Sequence, residues 1–170
     1  MALTMSELTV PVFVRGLNVL STLLKKGEEH ALEHGIAPAA LLGASLAADM
    51  LPLSSQVQRA SDASKFAVKR IGGVDAPGFA DDETTFAQLQ ERIANTIAWL
   101  QRVPVSDLDS GATRSVSLQW GAASAEFTGT SYLLTVALPN FYFHVVTAYD
   151  ILRNKGVPVG KLDFLGPFGD

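Results

Sequence analysis

Apolar residues recur at steps of three and four along four stretches of the chain, which is the spacing of one buried helix face. In the first stretch, residues 9–34, the stripe consists of Phe13, Leu17, Leu20, Leu24, Gly27 and Ala31. The same spacing predicts further helices over residues 52–71, 85–100 and 139–155. Four such helices predict an all-α fold, a four-helix bundle.

Turn and capping residues separate these helices. Gly35 and Gly156 follow the first and last helices as C-terminal cap glycines, and Gly72 with Gly73 ends the second. Thr85 is followed three residues later by a glutamine, which is a capping box for the third helix. A short helix is predicted over residues 39–50. Residues 74–82 predict a long loop, because they contain proline, glycine and acidic residues.

The apolar period changes to two between residues 115 and 128. Val116, Leu118 and Trp120 alternate with polar residues, and residues 121–124 can form a turn. This pattern predicts a small β-hairpin before the last helix. Residues 106–111 are expected to form a polar turn, residues 131–138 are either helical or extended, and the tail 157–170 is expected to contain no regular helix.

Composition narrows the class of protein. The chain has 170 residues, 48% hydrophobic and 18% charged, which predicts one globular domain over residues 1–170. It contains no cysteine, which excludes disulfide scaffolds, iron–sulfur clusters and thiol nucleophiles. The formal net charge is −4. We therefore expect no long-range attraction to nucleic acid or to an anionic membrane.

Residues 128–149 carry no formal charge over about the length that a bilayer requires. Pro139, Asn140 and His144 interrupt this run, and no basic cluster flanks it, so we interpret it as a buried core helix. The N-terminus has no basic region, and Glu7 lies where a signal peptide would be apolar. We expect a cytoplasmic protein with no membrane partner.

Five polar side chains lie within otherwise apolar helical sequence and form the candidate pocket, namely His144, Asn140, Gln56, Asp49 and Tyr149. Burying a polar group costs free energy unless the group is paired, so each should have a hydrogen-bond partner or line a cavity. Two interpretations stay open. The five residues form either a buried network that fixes helix register or a ligand pocket in which His144 acts as acid, base or hydrogen-bond donor.

A second pair of imidazoles, His30 and His34, lies on one face near the end of the first helix, with the spacing of a metal pair. Acidic residues surround the pair, so a solvated helix end explains the composition without a metal. In the tail, Lys161 and Asp163 are expected to attach the tail to the bundle, with Phe164 and Leu165 as apolar anchors.

Two C-terminal blocks, Pro139-Asn-Phe-Tyr-Phe-His144 and Gly160-Lys-Leu-Asp-Phe-Leu-Gly166, are specific enough to indicate a family. With residues 26–31, 49–53 and 56–57, they resemble an uncharacterised bacterial and fungal branch of the DinB-like four-helix bundles. The resemblance covers nearly the whole chain. It implies a DinB-like bundle with the hairpin inserted before the last helix, but no activity, because this branch is a domain of unknown function.

The wider superfamily implies a divalent metal bound by three histidines, one on the second helix and two on the last. Here Asn140 stands at the first of the last-helix positions and His144 at the second, and no histidine occurs between His34 and His144. One imidazole and a neutral amide form a poor site for zinc or nickel. We therefore expect that the metal is lost and that no other cofactor is bound.

The arrangement of the helices decides where His144 lies. In a simple up-down-up-down bundle, the start of the last helix would lie beside the end of the first, near His30. The superfamily instead uses a crossover between its second and third helices, for which the loop over residues 72–82 is long enough. That order predicts that His144 lies at the opposite end from His30.

Three functions stay open from the sequence. The first is a small-molecule-binding bundle that has lost the three-histidine metal site and keeps a pocket around His144. The second, implied by the resemblance, is a thiol-dependent transferase or isomerase with an unusual metal site. The third is a structural or interaction module that pairs as a homodimer through helix faces, as the resemblance also implies.

Overall fold

The computed structural model describes residues 3–167, in which four long helices pack as a bundle. These are α1 (Met5–Glu33), α3 (Leu53–Gly72), α4 (Phe86–Leu100) and α7 (Leu138–Asn154). The shorter helices are α2 (Pro38–Leu42), α5 (Val105–Asp109), α6 (Gly129–Tyr132) and α8 (Lys161–Leu165). The antiparallel strands β1 (Ser115–Trp120) and β2 (Ala123–Thr128) form a hairpin before α7. The predicted bundle with an inserted hairpin is confirmed.

The bundle contains the crossover between its second and third long helices. Gln58, near the start of α3, bonds Glu83 just before α4, and Gly72 at the end of α3 lies against Leu108 just after α4. α3 and α4 therefore run parallel, and the loop between them returns along the whole length of α3. α1 and α7 are also parallel, because successive turns of α7 pack against successive turns of α1.

Of the two helix orders left open by the sequence, the structure has the crossover order, which separates His144 from His30. It places His144 at mid-height, however, and not at the opposite end of the bundle as expected for that order. His30 lies near Gly156, whereas Phe141, less than one turn before His144, packs against Gly16 in the first half of α1. His144 is thus separated from Gly156 by about 18 Å along the helix axis. It lies opposite the first turn of α3.

The core is the set of apolar stripes that the spacing predicted. In α1 the side chains of Phe13, Leu17, Leu20 and Leu24 are fully buried. α1 is long and apolar enough to cross a membrane by length and composition alone. Its apolar face nevertheless packs against α4 and α7, as expected of a bundle core helix.

Three helix boundaries differ from prediction for local reasons. α1 begins at Met5 instead of near residue 9, because Thr4 and Glu7 form a capping box. α2 ends at Leu42 instead of residue 50, since Leu46 is 39% exposed and offers the helix no buried face beyond Gly43. Residues 106–111, predicted as a turn, fall largely within the one-turn helix α5, which buries Leu108.

The hairpin follows the predicted alternation. Val116 and Leu118 are buried, Gly121 turns the chain with φ of 60°, and Trp120 pairs with Ala123. The side chain of Trp120 lies outside the described part of the structure.

The tail contains the short helix α8, so the expectation of no regular helix was wrong within its described part, residues 157–167. Asp163 starts this helix by accepting a hydrogen bond from the backbone N–H of Gly160 at 2.8 Å. The same carboxylate accepts from Lys26 Nζ at 2.6 Å. Phe164 packs edge-to-face on Tyr149. Asp163 and Phe164 therefore attach the tail as predicted, whereas Lys161 and Leu165 are exposed.

Candidate functional site

A cleft of about 400 Å³ opens between α3, β1 and the helix that leads into α7. Its volume is within the range of small-molecule sites in proteins. One wall is formed by α3, the second by β1, and the third by the last helix with the turn before it. The lining residues are Arg59, Asp62, Ala63, Phe66, Arg70, Ser117, Leu118, Gln119, Tyr132, Val136, Ala137, Asn140 and His144.

The third wall is one continuous helix interrupted by a π-helical turn. α6 runs directly into this turn, Leu133–Ala137, and then into α7. Pro139 lies in the first turn of α7, where its missing N–H and bulky ring are accommodated. Such turns are frequent at functional sites. The open choice for residues 131–138 is thereby settled as helix, and Val136, Ala137 and Asn140 are brought to the cleft.

His144 is oriented by Gln56 on the neighbouring helix. Gln56 is 1% exposed, and its amide nitrogen donates to the backbone carbonyl of Leu51 at 2.9 Å. The amide oxygen is therefore the atom that faces His144 Nδ1, at 2.8 Å. An acceptor in that position requires Nδ1 to carry the ring proton. In the neutral ring, Nε2 then keeps its lone pair, and the His144 side chain lines the cleft.

The surroundings of His144 favour its neutral form. Burial lowers the pKa of His144, and the positive charge of Arg59 lowers it further. Asp62 and Arg70 are the other charged residues that line the cleft. The imidazole is therefore a hydrogen-bond acceptor, or a base, at neutral pH.

This tautomer can be measured directly. In two-dimensional ¹H–¹⁵N spectra near pH 7.5, we expect His144 to show the Nδ1–H tautomer, because Gln56 accepts that proton. The pKa of His144, read as its titration midpoint, should lie below the ordinary value of 6.5. The spectrum of His144→Gln assigns the signal, and Gln56→Leu should remove the tautomer preference. An Nε2–H tautomer in the unmodified protein would contradict the ring orientation that Gln56 imposes.

Of the five predicted pocket residues, the structure brings three together. His144 and Asn140 line the cleft, and Gln56 supports His144 from the core. Asp49 is exposed in the connection between α2 and α3 and does not line the cleft. Tyr149 packs against Phe164 of α8, with ring centroids 5.9 Å apart. Tyr149 therefore faces the tail and not His144.

The residues present do not fit a three-histidine metal centre. Asn140 supplies a neutral amide one turn before His144, and the neighbouring side chain on α3 is the amide of Gln56. Among residues 3–167, no three histidine, cysteine or carboxylate side chains come together as a metal site requires. His30 and His34 stack with ring centroids 4.2 Å apart at the end of α1, far from the cleft.

Sequence reasoning missed the cationic side chains of the cleft. Arg59 pairs with Asp81 of the crossover loop, and Arg70 donates to the Tyr132 hydroxyl at 3.1 Å. The two arginines are separated by eleven residues, which is about three helical turns and places both on one face of α3. This spacing is visible in the sequence, but nothing in it shows which face of α3 borders the hairpin.

A buried charge network behind the cleft was missed as well. Arg92 of α4 is buried and contacts Asp62 at 3.0 Å, Asp81 at 3.0 Å and Glu83 at 2.9 Å. Lys65, 1% exposed, also contacts Asp62, at 3.1 Å. The available signal was Arg92 itself, which occupies a core-spaced position between Leu89 and Thr96. The network attaches the crossover loop to α3 and α4.

Comparisons with known proteins agree with this architecture. Residues 5–165 match the family described as domain of unknown function DUF1993. A crystal structure of a DinB family member protein from Shewanella denitrificans is 38% identical to the chain, with a TM-score of 0.90. That alignment covers 96% of this chain and 92% of the other. A comparison with curated proteins finds no match. The chain therefore belongs to the DUF1993 family, and its fold is that of the DinB-like bundles.

Proposed function

We propose that this protein is a small-molecule-binding bundle whose ligand occupies the cleft beside His144. The observation that carries the proposal is the imidazole that Gln56 holds through Nδ1 in the wall of an open cleft of about 400 Å³. A hydrogen-bond network whose role was only to fix the register of the helices would not require an open cleft beside His144. Asn140 and Tyr132 add further hydrogen-bonding groups on the same wall.

The proposal includes the loss of the three-histidine metal site. It is supported by the donor set, in which amide side chains stand beside His144 on both α3 and α7. The thiol-dependent transferase alternative would require a metal site built from other residues. The homodimer stays a prediction; exposed Phe143 and Val146 on α7 are the apolar side chains that a second copy could cover.

A fragment screen by protein-observed NMR tests ligand binding in the cleft. We expect hits to shift the backbone amide signals of Asn140 and His144, with dissociation constants of about 1 mM or below. Ala63→Phe places a ring in the cleft and should abolish these shifts. The matched control is Ala87→Phe, because Ala87 is exposed on α4 outside the cleft. Hits that shift only signals elsewhere would contradict the proposal.

Metal analysis of protein purified without a histidine tag tests the proposed loss of the three-histidine metal site. We expect nickel, zinc and manganese at well below one equivalent per chain. A stoichiometric metal that disappears in His144→Asn would overturn the loss of the site and favour the transferase alternative.

A further inference from the structure

One end of the cleft lies about three helical turns away from His144, where Arg70 donates a hydrogen bond to Tyr132. The guanidinium of Arg70 lies 5.6 Å from the ring centroid of Phe66 and 5.8 Å from that of Tyr132. Contact with both rings fixes the plane of the guanidinium at the cleft wall. Arg70 is exposed to solvent, and these two rings with the hydrogen bond to Tyr132 hold its guanidinium at the cleft wall.

Arg70 differs from the other cations near the cleft in having no anionic partner. Arg59 pairs with Asp81 at 2.5 Å, and Lys65 and Arg92 both pair with Asp62. Among the described residues, no carboxylate lies within ion-pair distance of Arg70. Because the carboxylate of Asp62 is already shared by three cations, Arg59, Lys65 and Arg92, the charge of Arg70 is the uncompensated charge of the cleft.

Tyr132 adds a second donor beside this charge. Its hydroxyl oxygen accepts a hydrogen bond from Arg70, so the hydroxyl proton remains available for another acceptor. Burial raises the pKa of Tyr132, with the charge of Arg70 acting in the opposite direction. The phenol therefore keeps its proton at neutral pH. Two donors that converge beside an uncompensated charge match the geometry of a carboxylate.

The middle and the other end of the cleft have different chemistry. Phe66, Ala63, Val136 and Leu118 give the middle an apolar surface. At the far end, His144 Nε2 is free to accept a hydrogen bond from a ligand, and Arg59 nearby disfavours a cationic ligand group. Tyr132 and His144 are twelve residues apart on one continuous helix, so their backbones are separated by about 18 Å along its axis.

Resting on the proposed function, we propose that the cleft binds an elongated organic carboxylate, with its anionic group at Arg70 and Tyr132 and a neutral hydrogen-bond donor at His144. A single guanidinium without a second free cation among the described lining residues favours a monoanion over a phosphate dianion. If the side chains at the two ends keep this backbone spacing, about 3 Å for the contact at each end leaves a ligand length of about 12 Å. An extended chain gains about 1.2 Å per bond, so about ten carbons fill this length.

The test uses 10-hydroxydecanoate as the probe and titrates it by calorimetry against the full chain. We expect binding at least about tenfold tighter than that of 1,10-decanediol, which has the same length but no charge. Decanoate, which lacks the terminal hydroxyl, should bind a few times more weakly than the hydroxy acid.

Variants assign the contact. Arg70→Met should reduce the affinity for 10-hydroxydecanoate to that for the diol, while Arg70→Lys should recover part of it, because a lysine keeps the charge without the planar fork. Arg102→Met is the matched control, since it removes the same charge outside the cleft and should leave binding unchanged. Binding that survives Ala63→Phe would occur at another site and would overturn the assignment.

Failure of this inference is distinguishable from failure of the proposed function. Equal affinity for the acid and the diol, or full affinity in Arg70→Met, would overturn the carboxylate assignment while leaving a cleft that binds ligands. Absence of binding by 10-hydroxydecanoate would also overturn it. The fragment screen depends on neither the acid nor Arg70, so it tests separately whether the cleft binds small molecules.

Discussion

Arg92→Met should lower the free energy of unfolding by about 3 kcal/mol, the lower end of the range for breaking a buried ion pair. Arg92 is 3% exposed, and its guanidinium contacts three carboxylates, those of Asp62, Asp81 and Glu83. Removing it leaves the carboxylates of Asp62 and Glu83, which are 16% and 9% exposed, less compensated. The expected loss is near the lower end of that range because each carboxylate keeps another partner. Asp62 keeps Lys65, Asp81 keeps Arg59, and Glu83 keeps Gln58.

Urea unfolding followed by circular dichroism measures this change. Arg102→Met is the control, because Arg102 is exposed and its loss should change stability by about 0.5 kcal/mol or less. A loss below about 1 kcal/mol in Arg92→Met would show that methionine packs well enough to replace the network.

The same network gives the stability an acid dependence. Burial opposes the charged form of Glu83, but hydrogen bonds from Arg92 and Gln58 lower the pKa of Glu83 overall. A lowered native pKa means that the unfolded chain binds more protons. The contribution of Glu83 is therefore fully present above its ordinary value of 4.5 and is lost as the pH falls through the lower native pKa. Arg92→Met should weaken this dependence.

Gly129→Ala is the second substitution with a large expected effect, a loss of about 3 kcal/mol or more. A methyl group at residue 129 would overlap the carbonyl oxygen of Gly111, which is backbone and cannot rotate away. Gly111 is itself packed against the carbonyl of Ile71 at the end of α3. Three backbone segments therefore meet without side chains between them, and the strain has no flexible group to absorb it.

Thermal and urea unfolding of Gly129→Ala measure the loss, with Gly78→Ala as the control. Gly78 has open space where its side chain would be, so the control should stay within about 0.5 kcal/mol of the parent protein. This contact also joins the start of the cleft's third wall to the end of α3. Ligand affinity should therefore fall in Gly129→Ala even where the protein remains folded. A free energy of unfolding equal to that of the parent protein would contradict the close packing at Gly129.

Periodicity was sufficient for the bundle because burial follows the apolar stripe in each long helix. The positions from Phe13 to Leu24 that were predicted to face the core are fully buried. Periodicity was insufficient for α8. There the cap formed by Asp163 and its ion pair with Lys26 stabilise a short helix in spite of the glycine and proline residues around it. The local pattern predicts which face of a helix is buried. It does not predict contacts between residues that are far apart in the sequence.

The candidate site shows the same division. His144 and Asn140 stood out as polar residues in an apolar helix, and both line the cleft. Asp49 and Tyr149 stood out for the same reason but point elsewhere, because the pattern cannot tell a cavity from a surface or from a packed interface. Arg70 did not stand out, since an arginine on a predicted helix is ordinarily a solvated side chain.

By itself, the sequence determined the four amphipathic helices, the hairpin, the absence of cysteine chemistry and the asparagine one turn before His144 on the last helix. These are properties of single residues or of short periods along the chain. The tertiary structure decided that α3 faces the hairpin and α7 across a cleft, that Gln56 fixes the tautomer of His144, and that Arg70 lies without a carboxylate among the described residues. Each of these depends on which helices are neighbours, and helix adjacency is set by packing between distant segments, which no local period encodes.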